Sequence, residues 1–378
     1  MYMNFLKFFI LINLMIFTLR CSTSDPASPV QEPESSEPGL KDFAGNIQIG
    51  VRVDQNGLFG AERNIYREVF EREFNSATVT CYPAWNSWTG LKQYDLQQIN
   101  DRINYLEELG KTQMLHLLVA PDQYFPEWFK DGTFTNEQLD DMLHDWIKNM
   151  ITSNDNDKKV EVWNVVNESL SWSKPYGYNG NVVKWHQLGF EEDQSGLTGS
   201  DKVVSEHPIY LRKAFEYARQ YTNAKLELRD SGAEFPNGHQ SIKYKTFYQL
   251  ARHLLNSGVP LDAVGFQVHL NLDTSYPWTG LRDNIARFKA LGLDVYLTEI
   301  DIGDKDESWN ANKAAKQKIY YNSLMTIALD AGVDYIHFWG LRDGQDRGWR
   351  TNESPLLFDQ DFQPKPAYEG VLEALQEN

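Results

Sequence analysis

Two glutamates stand at the ends of apolar runs that have the length and composition of buried strands. Glu168 closes the run Val162–Glu168, and Glu299 closes the run Val295–Glu299. Two carboxyl groups in one pocket can cleave a glycosidic bond when one is protonated and supplies the leaving oxygen, while the other is ionised and attacks the anomeric carbon. The chain has 53 Asp and Glu residues, so position alone leaves surface or structural carboxylates as an equal alternative.

Polar and aromatic residues near these glutamates favour the chemical interpretation. Asn167 precedes Glu168 and could hold a sugar hydroxyl or a partner of the nucleophile. His269 ends another apolar run, and a histidine beside a carboxylate can hydrogen-bond it and fix its orientation. Trp339 and Trp349 could form an apolar wall over a sugar ring. Each residue taken alone is also compatible with core packing, so the prediction depends on their combination.

The two glutamates belong to a regular alternation of β-rich runs and amphipathic helical stretches. The predicted strands are Ile47–Val53, Ala77–Thr80, Gln113–Ala120, Val160–Val166, Lys225–Leu228, Ala263–His269, Asp294–Glu299 and Tyr335–Trp339. Eight strands alternating with helices predict an α/β fold, a closed (β/α)8 TIM barrel that forms a single catalytic domain. Such barrels place functional residues at the carboxyl ends of the strands, so the ends of strands four and seven should face each other across one mouth.

Seven helical patterns lie between these strands: Glu62–Glu73, Leu91–Leu109, Asn136–Met150, Ile209–Tyr221, Ile242–Ser257, Leu281–Leu291 and Ala311–Ala331. A final helix is predicted at Pro366–Leu375, after the last strand. The longest connection, Ser169–Pro208, follows the fourth strand. Connections of that length in compact domains are usually functional.

The first 40 residues have a different character from the rest. Residues 1–20 combine Lys7 with an apolar stretch too short to span a membrane comfortably, which predicts a lipoprotein-type signal peptide. Cys21 is the predicted lipidation site, although Arg20 replaces the small residue usual before it; ordinary cleavage nearby and an uncleaved short anchor are the alternatives. Residues 21–40 are rich in Ser, Pro and acidic residues and predict a flexible linker. The hydrolase domain is predicted to span residues 41–378.

The composition and motifs of the chain argue against several classes of binding partner. The net charge of −17 and the absence of a basic stripe argue against nucleic acid. The eight histidines lack metal-ligand spacing, and no phosphate loop or serine elbow is present, so neither metal nor cofactor is predicted. Asp301, Asp304 and Asp306 could suggest calcium, but a solvated acidic loop is the preferred interpretation.

The motifs together resemble glycoside hydrolase family 10, the xylanase family. The run 163–168 is similar to the family's Trp-Asp-Val-Val-Asn-Glu acid/base motif, and the run 297–302 to its Thr-Glu-Leu-Asp-Ile nucleophile motif. Further segments match the family in the same order along the chain, at residues 258–270, 338–340, 349–350, 355–359 and 363–368. The resemblance implies a retaining mechanism on β-1,4-linked xylan without a cofactor. It implies Glu168 as acid/base and Glu299 as nucleophile, and places these supporting or substrate-binding residues around them: Asn167, His269, His116, Gln267, Trp339 and Trp349.

The departures from the family lie in the half that binds the glycone, the sugar on the non-reducing side of the cleavage point. Thr80, Cys81 and Ala84 replace a Glu, an Asn and a Lys, while Leu115 replaces a Trp. Arg229-Asp230 stands where the family has Asn-Asp, and the region 190–207 is longer than usual. Lys111 replaces a His. Together with the smaller side chains named above, this charge predicts a wider, cationic glycone subsite. The alternative is that Lys111 pairs with Glu299 or Glu168.

These observations lead to one preferred function and two alternatives. The preferred one is an endo-acting retaining hydrolase of xylan, anchored by lipid to a membrane, exported to the cell surface or periplasm, and monomeric. The first alternative keeps the mechanism but changes the substrate to a decorated, acidic or different β-glycan. The second is a non-catalytic glycan-binding lipoprotein.

Overall fold

The computed structural model describes residues 37–171, 177–178, 183–236, 240–306, 308–345 and 349–378. The predicted signal peptide, Cys21 and most of the predicted linker lie outside these ranges. Pro38–Asn378 forms one compact unit. Leu40 is buried within a short helix at Leu40–Phe43, so the folded part begins slightly before the predicted residue 41. No helix in the described ranges is long and apolar enough to cross a membrane.

Eight parallel strands close into a barrel, which confirms the predicted fold class. The strands are β1 (Gln48–Val53), β2 (Ser76–Thr80), β3 (Thr112–Val119), β4 (Val162–Asn167), β5 (Lys225–Asp230), β6 (Ala263–Phe266), β7 (Asp294–Gly303) and β8 (Tyr335–Phe338). Each pairs with its neighbours in sequence, and the pairing of β8 with β1 closes the ring. Every strand therefore delivers its carboxyl end to the same mouth.

Within the residues that the structure describes, eight principal helices surround the barrel. They are α1 (Arg63–Glu73), α2 (Gln97–Glu108), α3 (Asn136–Thr152), α4 (Ile209–Arg219), α5 (Gln240–Asn256), α6 (Trp278–Lys289), α7 (Ala311–Asp330) and α8 (Pro366–Glu377). In α3 the capping box of Thr135 and Gln138 sets the start. Its apolar residues recur at helical spacing and are buried.

Short helices, turns and two hairpins lie in the connections between the barrel strands and the principal helices. The short helices are Gln55–Phe59, Glu127–Asp131, Asn156–Lys159 and Val183–His186, with 3-10 turns at Asp122–Tyr124, Ser153–Asp155 and Gly199–Asp201 and a π turn at Pro83–Ser87. Two antiparallel hairpins pair Trp88–Gly90 with Gln93–Tyr94, and Phe190–Glu192 with Glu206–Pro208. The second hairpin lies in the long connection after β4.

Three predicted boundaries are wrong for local backbone reasons. The helix expected from Leu91 begins at Gln97, because Lys92 has a left-handed φ of 54° in a hairpin turn. The sixth strand stops at Phe266, because Val268 has a φ of 66°; His269–Asn271 then pairs separately with β7. The seventh strand does not stop at Glu299 but continues to Gly303.

Candidate active site

Glu168 directly follows β4, in a conformation that few non-glycine residues adopt. Its φ is 53°, and its backbone N–H donates to the carbonyl of Arg229 on the next strand (3.0 Å). Strained backbone of this kind clusters at functional sites. Gln267 Nε2 donates to Glu168 Oε1 (3.0 Å), and the Tyr124 hydroxyl lies 3.5 Å from Oε2. Burial raises the pKa of Glu168, although Gln267 opposes the rise. The site therefore shifts Glu168 toward its protonated form.

Glu299 lies within β7, where the register against β8 shifts between Leu297 and Ile300. Such a bulge re-aims a side chain next to a site. The side chain is only 3 % exposed. Arg229 donates from Nη1 to Oε1 (3.0 Å), and His269 Nε2 lies 3.3 Å from Oε2. Burial alone would raise the pKa of Glu299, but the charged partners His269 and Arg229 outweigh it and lower the pKa to about 2.

The two carboxyl groups thus have opposite electrostatic environments at one mouth. Glu168 is shifted toward the acid form by burial, and Glu299 toward the carboxylate by its cationic partners. Titratable pairs whose pKa values are pushed apart indicate an acid and a base or nucleophile. The arrangement can therefore donate a proton and attack an electrophilic carbon from two positions of one pocket.

His269 lies between two carboxylates, as its predicted position beside Glu299 requires. Its Nδ1 is 3.0 Å from Asp301 Oδ2, and its Nε2 faces Glu299. Burial opposes a charge on the ring, but Asp301 and Glu299 raise the pKa of His269 to about 10. The charged imidazole is fixed by Asp301 and supports the ionised form of Glu299.

Asn167 and Gln267 act together on the acid side of the site. Asn167 is buried at the end of β4, and its Oδ1 accepts a hydrogen bond from Gln267 Nε2 (3.2 Å). The same Gln267 nitrogen contacts Glu168. The structure therefore brings both predicted supporting residues to Glu168.

The side of the site next to Glu299 is lined by His116, Trp339 and Trp349. His116 Nδ1 accepts from Arg229 (3.0 Å) and lies 3.5 Å from Glu299 Oε1; burial lowers the pKa of His116 to about 3. The rings of His116 and Trp339 meet edge to face at 5.2 Å. Trp349 is 45 % exposed and donates from Nε1 to Asp301 (2.9 Å). All three reach the site as predicted.

Lys111 does not reach the site, so both predictions for it are wrong. It precedes β3, at the amino end of the barrel and away from the mouth. Its Nζ donates to the carbonyl of Phe74 (2.5 Å) and lies 3.4 Å from that of Glu71. Burial lowers the pKa of Lys111 to about 8. The motif used for the comparison begins at Gly110, two residues before β3, so Lys111 itself lies outside the strand.

Lys111→Ala should consequently leave catalysis unchanged and lower stability. Loss of the bonds to two carbonyl groups should reduce the free energy of unfolding by about 1–2 kcal/mol. Urea denaturation measures this loss, and Lys111→Met, which keeps the apolar stem, separates it from lost packing. A selective fall in kcat/KM on uronic-acid-decorated oligosaccharides would contradict the assigned position.

The replaced residues of the second strand make new contacts. Thr80 accepts a hydrogen bond from Arg102 Nη1 (3.2 Å), and the buried Cys81 thiol faces Met150 Sδ of α3 (3.6 Å). Cys81 therefore packs toward the helices rather than facing a sugar. Leu115 is also fully buried.

Two functional residues were missed or left open by sequence reasoning. Asp301 stands two positions after Glu299, where strand periodicity puts both side chains on one face, yet it was assigned to a solvated loop. It is buried and bound by His269, Trp349 and Arg350. The sequence marked Arg229 only as a departure from the family's Asn-Asp pair, whereas in the structure it points inward and contacts Glu299. The signal in the sequence was that Arg229 replaces a neutral Asn of the family motif.

Asp193, His207 and His253 form the one group of three potential metal ligands in the described ranges. They lie at and beside the hairpin in the connection after β4. Asp193 lies 2.9 Å from His207 Nε2, while the Tyr178 hydroxyl contacts His207 Nδ1. His253 Nδ1 accepts the backbone N–H of Gln194 (3.0 Å). These bonds already use the ring nitrogens, so we assign the group a structural role in tying down the hairpin.

A closed (β/α)8 barrel with two carboxyl groups in opposite electrostatic environments at its mouth matches the catalytic arrangement of glycoside hydrolases. The model of glycosyl hydrolase family 10 matches residues 40–374, and the chain belongs to that family. Its curated relatives include endo-1,4-beta-xylanase B of Thermotoga neapolitana, which is 27 % identical over 341 residues, or 88 % of this chain and 89 % of the relative.

Solved structures agree with this assignment. Xylanase 10B of Thermotoga petrophila RKU-1 in complex with xylobiose superposes with a TM-score of 0.77 at 28 % identity, covering 90 % of this chain and 97 % of that one. Native xylanase 10B of Thermotoga maritima gives 0.75 at 28 % identity, covering 90 % and 98 %. This chain is thus similar over nearly its whole folded length to these proteins.

Proposed function

We propose that this protein cleaves internal β-1,4 linkages of xylan with retention of anomeric configuration, with Glu168 as acid/base and Glu299 as nucleophile. The observation that carries the proposal is the opposite environment of the two carboxyl groups: Glu168 is buried beside the neutral Gln267, whereas Glu299 lies beside the cationic Arg229 and His269. The relatives that are named xylanases, one of them solved with xylobiose, support xylan as the substrate.

The proposed reaction has two displacements. A Glu299 oxygen attacks the anomeric carbon, the bond to the leaving oxygen breaks, and that oxygen takes the proton of Glu168. Glu168, now a carboxylate, removes a proton from water as the water oxygen attacks the same carbon. The bond to Glu299 breaks, and both glutamates return to their starting forms. Trp339 and Trp349 supply ring faces for the sugar, and no cofactor takes part.

The decisive experiment incubates the protein with xylan and with a panel of other β-glycans. Xylan should release short oligosaccharides, and proton NMR should show the β-anomer first, followed by mutarotation. Hydrolysis of another β-glycan in preference to xylan would replace the substrate but keep the mechanism. Binding to glycans without any hydrolysis would support the non-catalytic alternative. Initial release of the α-anomer would exclude retention.

We also propose that the protein is exported and anchored by a lipid at Cys21. The apolar run before Cys21 and the Ser/Pro/acidic segment after it support a signal and a tether. Palmitate labelling of bacterial cells should mark the wild type but not Cys21→Ser, and the variant should leave the membrane fraction. Unlabelled wild-type protein would contradict the proposal. A monomer also stays a prediction, which sedimentation of the folded domain tests.

A further inference from the structure

Arg229 and Glu227 form a buried ion pair directly against the proposed nucleophile. Arg229 contacts Glu227 through two hydrogen bonds, from Nε to Oε1 (2.9 Å) and from Nη2 to Oε2 (2.8 Å). The remaining terminal nitrogen, Nη1, contacts Glu299 Oε1 (3.0 Å). Both Arg229 and Glu227 are completely buried. One guanidinium is thus shared between two carboxylates of a closed site.

Arg229 does not form a simple salt bridge, because it contacts two carboxylates, Glu227 and Glu299. Burial opposes the charge of Arg229, but Glu227 and Glu299 outweigh it and raise the pKa of Arg229. Burial also raises the pKa of Glu227, whereas the two bonds from Arg229 oppose that rise. Because a guanidinium stays protonated, a carboxylate is the form of Glu227 that matches this bidentate contact.

The charge on Glu299 changes during the proposed reaction, but the charge on Arg229 does not. When Glu299 forms the ester with the anomeric carbon, its negative charge disappears while Glu168 becomes a carboxylate. A buried cation whose sole partner was Glu299 would then be left uncompensated, which is strongly unfavourable. Glu227 remains bound through both of its oxygens in that state. Arg229 therefore has a counter-charge throughout the cycle.

We propose that Arg229 is a positioning residue that orients and ionises Glu299, and that Glu227 is the fixed counter-ion that lets Glu299 lose its charge as the covalent intermediate forms. This inference rests on the proposed function and adds two residues to it. The family's Asn at the position of Arg229 offers no charge, so the pair distinguishes this chain from the motif it otherwise resembles.

Other titratable groups face the same space and enter the pH argument. They come from six strands or strand ends: His116, Glu168, Glu227, His269, Asp301 and His337. Burial lowers the pKa of His337 to about 3, and its ring is bound by Ser76 and Thr78. His269 remains as the second cation when Arg229 is removed, so the effect of Arg229 should be partial.

The test is a double-mutant cycle on kcat/KM for an aryl β-xylobioside, whose activated leaving group removes dependence on Glu168. Arg229→Asn removes the cation and leaves Glu227 beside Glu299, so the pKa of Glu299 rises. The acidic limb of the pH profile should therefore move up by about one pH unit or more. Glu227→Gln leaves Arg229 bound to Glu299 alone. The acidic limb of Glu227→Gln should stay low, while its kcat/KM falls about tenfold or more because ester formation now isolates the guanidinium.

The double variant Glu227→Gln/Arg229→Asn removes both charges. It should recover at least part of the kcat/KM that Arg229→Asn loses. Arg229→Lys keeps the cation and should keep the low acidic limb, which preserves the test if Arg229→Asn fails to fold. Arg219→Asn is the matched control, since Arg219 pairs with Asp262 outside the site. Its pH profile should not move.

Three outcomes would overturn the inference. The first is an acidic limb of the pH profile that does not move in Arg229→Asn. The second is an acidic limb that moves up in Arg229→Lys although its circular dichroism matches the wild type. The third is a double variant whose fold-loss in kcat/KM equals the product of the two single losses. A wild type that hydrolyses no xyloside or xylan would instead reject the proposed function. The two failures are therefore distinguishable.

Discussion

Glu299→Ala should abolish hydrolysis of xylan and leave the barrel folded. Without a carboxylate at this position no covalent intermediate can form, and removal of a nucleophile lowers kcat on the order of 10⁴-fold or more. The fold should survive because both partners of Glu299 keep another carboxylate: Arg229 remains bound to Glu227, and His269 to Asp301. Thermal unfolding followed by circular dichroism checks the fold, and reducing-sugar release checks activity.

Added azide separates this role from a merely structural one. With Glu299→Ala, azide can occupy the space of the missing carboxylate and attack an activated β-xyloside directly, giving the α-glycosyl azide. Asp304→Ala is the matched control: Asp304 follows the same strand and pairs with Lys313. It should hydrolyse xylan at close to the wild-type rate. Residual hydrolysis of Glu299→Ala within tenfold of wild type, or a β-glycosyl azide, would contradict the assignment.

The barrel was predictable because its signals are local and repeated. Every strand needs a short apolar run and every helix an amphipathic face, and eight alternations leave few architectures. Glu168 and Glu299 could be predicted because each follows a recognisable run that must end at the mouth. Errors arose where tertiary contacts override local pattern. Val268 adopts a left-handed conformation with its N–H bound to Glu234 Oε1 (3.0 Å), which no period in the sequence indicates.

The charged partners of the site were harder to predict for a different reason. Lys111 and Arg229 were both noticed as unexpected cations, yet one lies at the amino end of the barrel and the other touches Glu299. A residue's place along its strand decides between these ends, and an offset of a few residues reverses the conclusion. Glu227 drew no attention because an acid in mid-strand has meaning only beside the arginine two residues later.

Glu168→Ala should slow hydrolysis of xylan far more than hydrolysis of an activated aryl xyloside. A sugar leaving group needs a proton as the bond breaks, and general acid catalysis contributes about 10²–10⁴-fold. A nitrophenolate leaves without one, so formation of the intermediate should be nearly unaffected on that substrate. Breakdown of the intermediate still needs a base, and added azide should restore turnover by forming the β-glycosyl azide. Glu127→Ala is the control, because Glu127 is the exposed first residue of the short helix Glu127–Asp131 and pairs with Lys130.

The pH profile of the same variant gives the final check. Burial raises the pKa of Glu168 above its ordinary value, so the acid form required for the first step persists to higher pH than for a solvated carboxyl group. The wild-type kcat/KM on xylo-oligosaccharides should fall as pH rises through that pKa, and Glu168→Ala should lack this alkaline limb. Gln267→Ala removes the bond that opposes the rise, so its alkaline limb should move further upward. Equal losses of Glu168→Ala on xylan and on the aryl xyloside, with the limb intact, would assign the proton to another residue.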